Sequence, residues 1–389
     1  TGFTSSMVKD IYAGPSSAFD YSNNSGVLLP NGKFVFAAND GTHGGSPWVT
    51  DGTETGTLLL QDTDNGNYGN LTASQFNIVN GKSVYKVYHN GWDFGVSDGT
   101  VEGTKVLEAH NDYFSASDPK ILGTINDKLY FTATNEDGKG LFSTDGTSFT
   151  KLVAVSDGND KILGYTANKA YFAITDAAHG QELWAANLAT GTIALTKDIL
   201  AGSGGALAGG DASIMIGDKI LFNAYTSGSN QALFVSDGTE SGTVQLASSL
   251  PTDKAIIGNK VFFANGSGVF VSDLSATTIS VTQLESSDFY GVDRLQADSD
   301  QAFFLSGDER LFVSTGSDAI ELASNVDKFK VVADNAIYFI ETNSSNVASL
   351  WYSDGTASGT RYIENLAMSA ESYDLANAVA IHTVGVSAG

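Results

Sequence analysis

The chain of 389 residues has no cysteine, only five prolines and three methionines, and few basic residues. Without cysteine there are no disulfides, no thiolate metal sites and no cysteine nucleophile. No stretch approaches the roughly 18–20 unbroken apolar residues of a membrane-spanning helix. Lys and Arg number 20 against 44 Asp and Glu, a net charge of -24. Such a surface repels a phosphate backbone and an anionic bilayer, so nucleic acid and membrane insertion are poor expectations. Cations, calcium above all, suit it better, although acidity also serves plain solubility. A leading Thr1 and no signal peptide point to a processed chain or a segment of something longer.

What the chain has in abundance is glycine, 43 residues, and a phrase that recurs. It reads TDGTETGT from Thr50, SDGTVEGT from Ser97, SDGTESGT from Ser236 and SDGTASGT from Ser353. Weaker copies begin at Thr144, Asn187, Ser272 and Ser314. A Trp or Phe stands three residues before the Asp position in all copies but the second, where Gly95 holds that place. A second phrase precedes each copy, a Lys three residues ahead of an aromatic: Lys33 to Phe36, Lys82 to Tyr85, Lys128 to Phe131, Lys169 to Phe172, Lys219 to Phe222 and Lys260 to Phe263. Gln301 to Phe304 and Ala336 to Phe339 keep only the aromatic. The interval of roughly 35–50 residues suits propeller blades.

Each copy parses into four strands. Pairs such as Asn31-Gly32, Asn80-Gly81, Asn126-Asp127, Gly217-Asp218, Gly258-Asn259 and Asp334-Asn335 supply the positive φ angles of two-residue hairpins. Runs apolar on both faces, such as Val261-Phe262-Phe263, need covering from both sides. The expected fold is all-β, a β-propeller of about eight four-stranded antiparallel blades in one domain. The repeats are placed at about 27–62, 76–110, 119–155, 161–200, 211–248, 254–286, 294–324 and 329–367. Ser6 to Ile11 reads as one more strand, and 371–380 as one short helix. The termini, 1–14 and 368–389, are expected to close or link the array, by local pairing in one chain or by joining a neighbour.

The string Gly180 to Trp184 (GQELW), with SDGTxxGT elsewhere, resembles the ELWxxDGT repeat. Lys197-Asp198-Ile199 and Lys9-Asp10-Ile11 match the element that often follows it. The copies depart from it at Asn187-Leu188, Leu274 and Thr315, where altered turns are expected. The resemblance implies a large, secreted bacterial extracellular protein, often with adhesion-type modules, and no particular reaction.

Asp51, Asp98, Asp145, Asp237, Asp273 and Asp354 read first as turn residues, each carboxylate accepting a backbone N–H two residues on. The Trp or Phe ahead of each reads as core between blades. For calcium, the local clusters are Asp62, Asp64 and Asn67, and Asp157 with Asp160, because alternating oxygens near glycine suit a hard cation. Catalysis has weaker support. Carboxylate pairs for glycoside hydrolysis are not distinguishable among so many acids. Arg294, Arg310 and Arg361 all fall in the last three repeats. The five histidines lack HExxH spacing, and no Walker or Rossmann fingerprint occurs. The expected role is non-catalytic: binding a glycan or protein on a cell surface or matrix, through loops such as Tyr88 to Phe94 or His110 to Phe114. The alternatives are a self-assembling extracellular filament or layer joined through terminal strands, and, last, a propeller glycoside hydrolase.

Overall fold

A computed structural model describes residues 6–19, 26–63, 73–88, 91–107, 114, 119–207, 213–284, 292–345, 347–366 and 375. The chain divides into two compact units, 1–208 and 209–389. Each unit holds four four-stranded antiparallel sheets, eight among the described residues, and in every sheet each strand pairs with its neighbour in sequence. The fold is all-β, a β-propeller of eight four-stranded blades. We number the blades 1 (26–59), 2 (73–107), 3 (120–154) and 4 (161–195) in the first unit. Blades 5 (213–247), 6 (253–283), 7 (292–323) and 8 (326–365) make up the second. The strand after the second Gly-Thr of the last copy is Arg361–Asn365, as the repeat requires.

The hairpin pairs behave as their residue types dictate. Gly32, Asn80, Gly81, Asn126, Asp127, Gly217, Gly258 and Asn335 all have φ between 46° and 83°, which Gly tolerates freely and Asn or Asp better than other side chains. These tight turns join the first and second strands of their blades. Between the second and third strands the two recurrent aromatics are cross-strand partners: Phe36 opposite Trp48, Phe131 opposite Phe142 and Phe172 opposite Trp184. Phe222 opposes Phe234, Phe263 opposes Phe270, Phe304 opposes Phe312 and Phe339 opposes Trp351. Five of these pairs stack at 5.4–6.0 Å between ring centroids, a geometry that stabilises beyond area burial alone. Blade 2 departs for a steric reason. Gly95 opposes Tyr85, and a β-carbon there would collide with the Tyr85 ring.

Four of the five stacked pairs lie between blades of one unit. Leu129, Phe131 and Phe142 of blade 3 pack on Val84, Phe94 and Val96 of blade 2. Phe172 and Trp184 of blade 4 pack on Tyr130 and Leu141 of blade 3. In the second unit, Phe304 and Phe312 of blade 7 meet Phe262 and Val271 of blade 6, and Phe339 of blade 8 meets Phe303 and Val313 of blade 7. The aromatic before the turn is thus core in blades 3, 4 and 7 and half-buried against the preceding blade in blades 6 and 8.

The N-terminal stretch differs from expectation. Residues 6–19 contain no strand. Instead Ile11 packs on Phe36, Ala38 and Trp48 of blade 1, and Lys9 Nζ donates to the Thr57 carbonyl at 2.7 Å. Of 371–380 only Leu375 is described, in helical geometry and buried against Tyr338, Ile340 and Leu350; the rest of that range, and nearly all of 368–389, lies outside the described residues.

Candidate functional site

The Asp-Gly-Thr turns form closed hydrogen-bond circuits. In blade 2, Asp98 Oδ1 accepts the Thr100 N–H at 2.9 Å and the Thr100 hydroxyl at 2.6 Å. Thr100 Oγ1 accepts the Gly103 N–H, and the Thr104 hydroxyl donates to the Thr100 carbonyl. Blades 1, 5 and 8 repeat this around Asp51, Asp237 and Asp354. Asp145 and Asp273 keep the first half of it. The hydroxyl hydrogen bond holds Asp98 and Asp145 below the usual carboxylate range. The divergent blade 4 keeps the turn with an amide, Asn187 Oδ1 accepting from Ala189 and Thr190 N–H. These carboxylates are turn-formers.

Of the candidate calcium ligands, Asp62 is exposed after blade 1, and Asp64 and Asn67 lie outside the described residues. Asp157 is fully exposed and ion-paired with Lys139 at 2.6 Å. Asp160 is buried; its Oδ1 accepts the Thr175 N–H at 2.8 Å and its carbonyl accepts Lys120 Nζ. Lys120 also donates to Asn159 Oδ1. Burial raises the Asp160 carboxyl above its ordinary value, while the Lys139 hydrogen bond lowers that of Asp157. The two carboxylates serve different partners, and among the described residues no three His, Asp or Glu side chains are grouped to hold a metal.

Other polar residues emerge only in three dimensions. Asp40 and Asp176 each accept two backbone N–H groups, the second from His43 or His179. Each also pairs through Oδ2 with the Nδ1 of that histidine, at 2.7 and 2.8 Å. The hydrogen bond to Asp176 raises the His179 pKa. The shared spacing, Asp-x-x-His-Gly ahead of the third strand in blades 1 and 4, was the available signal.

Glu182, within GQELW, is wholly buried. Its Oε1 accepts the Leu200 and Ala206 N–H groups at 3.2 and 3.0 Å, while Oε2 is buried without a partner. Burial pushes its pKa up to about 7. That is a suitable value for a general acid, but the side chain exposes no surface to a substrate and instead clamps the 200–206 loop. Gly95-Val96-Ser97-Asp98-Gly99 has the literal spacing of a nucleophile elbow, which requires a strand-to-helix turn. Here Ser97 ends a strand that turns into another strand, and its hydroxyl is engaged by Thr104 and the Gly99 N–H.

Of the two loops expected to recognise a ligand, 110–113 and 89–90 lie outside the described residues. Phe114 is core, packed on Phe94, Phe131, Phe142 and Phe149. Trp92 is half-buried beneath Lys86 Nζ at 4.5 Å.

Among the described residues, an open cavity lies on blade 1. A cavity of about 330 Å³ is lined by Met7, Val8, Lys9, Ile11, Phe19, Phe34, Phe36, Thr50, Gly52 and Thr57. Met7 is 77% exposed, and Val8, Phe19 and Phe34 stand 38–45% exposed. A contiguous apolar surface of this kind marks an interaction site more often than a neutral patch.

No protein family matches the sequence, and no curated protein does. Solved structures are similar at low identity. The computationally designed Ika8 protein is 14% identical, with TM-score 0.33 over 92% of this chain and 99% of that one. The β-propeller domain of the Trilobed protease from Pyrococcus furiosus, described as having an open velcro topology, is 13% identical. Its TM-score is 0.27, over 75% of this chain and 96% of that one. A prolyl endopeptidase is 12% identical with TM-score 0.33, and the match spans 85% of this chain but 53% of the peptidase.

Proposed function

We propose that the chain is a non-catalytic binding module of a secreted bacterial extracellular protein, in keeping with its resemblance to the ELWxxDGT repeat. The observation that carries this reading is the exposed apolar cavity on blade 1, where Met7, Val8, Phe19 and Phe34 offer surface to a macromolecule. The repeated carboxylates support it, because the turn Asp residues hold their own backbone rather than converge on a substrate. The partner class is a protein or glycan of a cell surface or matrix, with assembly through the chain's ends as the second form of the same role. Calcium at Asp62, Asp64 and Asn67 belongs to this proposal as a stabiliser of the segment after blade 1.

The test is binding of the full chain to immobilised cell-surface proteins and glycans, compared with Phe34→Asp and Met7→Asp. Loss of at least tenfold in affinity in both variants, with the melting temperature retained, is the expected result. Undiminished binding by both would remove the cavity from the role.

A further inference from the structure

After the outermost strand of blade 4 (192–195), residues 196–207 run back along the start of that blade's third strand (180–187). Backbone hydrogen bonds pin the two ends of this strap. Thr196 N–H donates to the Leu183 carbonyl and Leu207 N–H to that of Gln181, both at 2.9 Å. The Thr196 hydroxyl donates to Leu183 as well. The two backbones come so close that a β-carbon on Gly205 would collide with the Gln181 nitrogen. Between the pins, Ala201 to Gly204 are exposed. There the strap is gripped by Glu182, whose Oε1 accepts the Leu200 and Ala206 N–H groups. A segment held at its ends and by one side chain between them opens locally at low cost.

The charges around this grip reverse with pH. Glu182 is wholly buried and its Oε2 has no partner, so the neutral acid fits the place better than the ion. Burial foremost, with the Asp198 charge adding to it, pushes its pKa up to about 7. His179 stands three residues earlier. Its hydrogen bond to Asp176 foremost, with Asp198 again adding, raises its pKa. Asp198 belongs to the strap and is exposed. In acid it therefore faces a protonated His179 and an uncharged Glu182, and is attracted. In alkali it faces a neutral His179 and a carboxylate at Glu182, and is repelled. Of the neighbouring groups, Asp176 is engaged by His179. Tyr130 of blade 3, packed with Trp184, is pushed above its ordinary value by burial and stays neutral. Lys197 is the strap's cation.

We infer that residues 196–207 are a pH-released strap, closed on blade 4 in acid and loosened as Glu182 ionises, which uncovers the backbone edge of Gly180 to Glu182. The two titrations act in one direction. A raised folded value means a contribution present below the ordinary value and lost as pH rises through the folded one. For Glu182 it is complete below 4.5 and lost through about 7. For His179 only the share owed to Asp198 is lost on opening, because Asp176 stays on the same hairpin. The strap shares no residue with the blade 1 cavity, so it goes beyond the binding role proposed above, and either can fail without the other.

The test is hydrogen exchange of the full chain at pH 5.5 and pH 8.5, read by mass spectrometry. Protection is referenced to an unstructured peptide of residues 196–207 at the same pH, which removes the chemical pH dependence of exchange. Expected at the higher pH is a loss of at least tenfold in protection of the Leu200 and Ala206 amides, with residues 169–187 of the same blade unchanged. Glu182→Gln is expected to hold the strap's protection within twofold across that range. Asp198→Asn, at an exposed position, keeps the test decisive if Glu182→Gln fails to fold, and is expected to narrow the loss at least threefold. Equal protection of the parent at both pH values would overturn the inference, as would a loss in either variant as large as the parent's. A matching loss across residues 169–187 would also overturn it, because the whole blade rather than the strap would then be responding.

Discussion

A β-carbon at Gly103 would land on the Asp98 carboxylate, and the same holds for Gly56, Gly242 and Gly359 beside Asp51, Asp237 and Asp354. The second glycine of the repeated phrase is therefore demanded by the approach of a carboxylate, and the first by φ near 85° at Gly52, Gly99, Gly146, Gly238 and Gly355. Gly103→Ala is expected to cost about 1–3 kcal/mol, as overpacking does, read as a shift in the urea midpoint. A silent substitution would mean the Asp98 circuit is dispensable. Glu182 gives a prediction of the opposite kind. Its folded pKa of about 7 lies above the ordinary 4.5, so the fold prefers the protonated acid. Its contribution is most favourable below pH 4.5 and is lost as pH rises through about 7. Glu182→Gln keeps an oxygen for the Leu200 and Ala206 N–H groups and removes the charge. The variant is expected to melt above the parent at pH 8, with the gap closing by pH 5. A gap independent of pH would show that Glu182 is not held neutral. The repeated phrase made the glycines and turn Asp residues legible in sequence. Glu182 was not, because a single buried carboxylate inside a strand has no spacing to betray it.

At the scale of strands and hairpins, local chemistry carried most of the information. Asn-Gly and Asn-Asp pairs marked the tight turns between first and second strands, and a tight turn fixes which residues face each other across it. The pairing of the two aromatic positions lies across the second and third strands, joined by other turns, and came from the structure; the Gly95 exception follows from Tyr85 filling both places. The polar latch between neighbouring blades, in which Asn31 and Lys33 donate to the Asp98 and Gly99 carbonyls, Asn80 to that of Asp145 and Lys260 to that of Thr315, was hidden because donors and acceptors lie 55–67 residues apart and every acceptor is a backbone carbonyl. Residues 6–19 misled for a related reason: their apolar positions suit a strand, but they spend them on one face of blade 1. Two losses test the latch. Asn80→Ala is expected to cost about 1 kcal/mol, a typical net hydrogen bond, in a chemical melt. Asn31→Ala combined with Lys33→Ala should cost about twice that and speed exchange of the amides around Gly99 and Thr100. If the double variant left those amides as protected as before, the latch would be an accompaniment to packing rather than part of it.

For the whole molecule the governing quantity is a net charge of -24 on 389 residues. Like charges at this density oppose the compact state, and screening relieves them. Sodium chloride is therefore expected to raise the melting temperature steadily, whatever calcium does. This screening defines how a calcium site must be sought, since any divalent cation stabilises an acidic protein without a site. The discriminating comparison is melting in calcium chloride against sodium chloride at equal ionic strength, with magnesium as a further control. A bound ion adds a term that grows with the logarithm of its concentration above the dissociation constant and reverses with chelator. The acids near blade 4 are poor recipients, for Asp157 is paired with Lys139 and Asp160 spends Oδ1 on the Thr175 N–H. In the role proposed above, a specific effect is assigned to Asp62 and Asp64. Calcium stabilisation in excess of matched sodium and magnesium, abolished by Asp62→Asn with Asp64→Asn and untouched by Asp157→Asn, is the outcome expected of a site there. Curves that superimpose at equal ionic strength would reduce the role of calcium to that of any counterion.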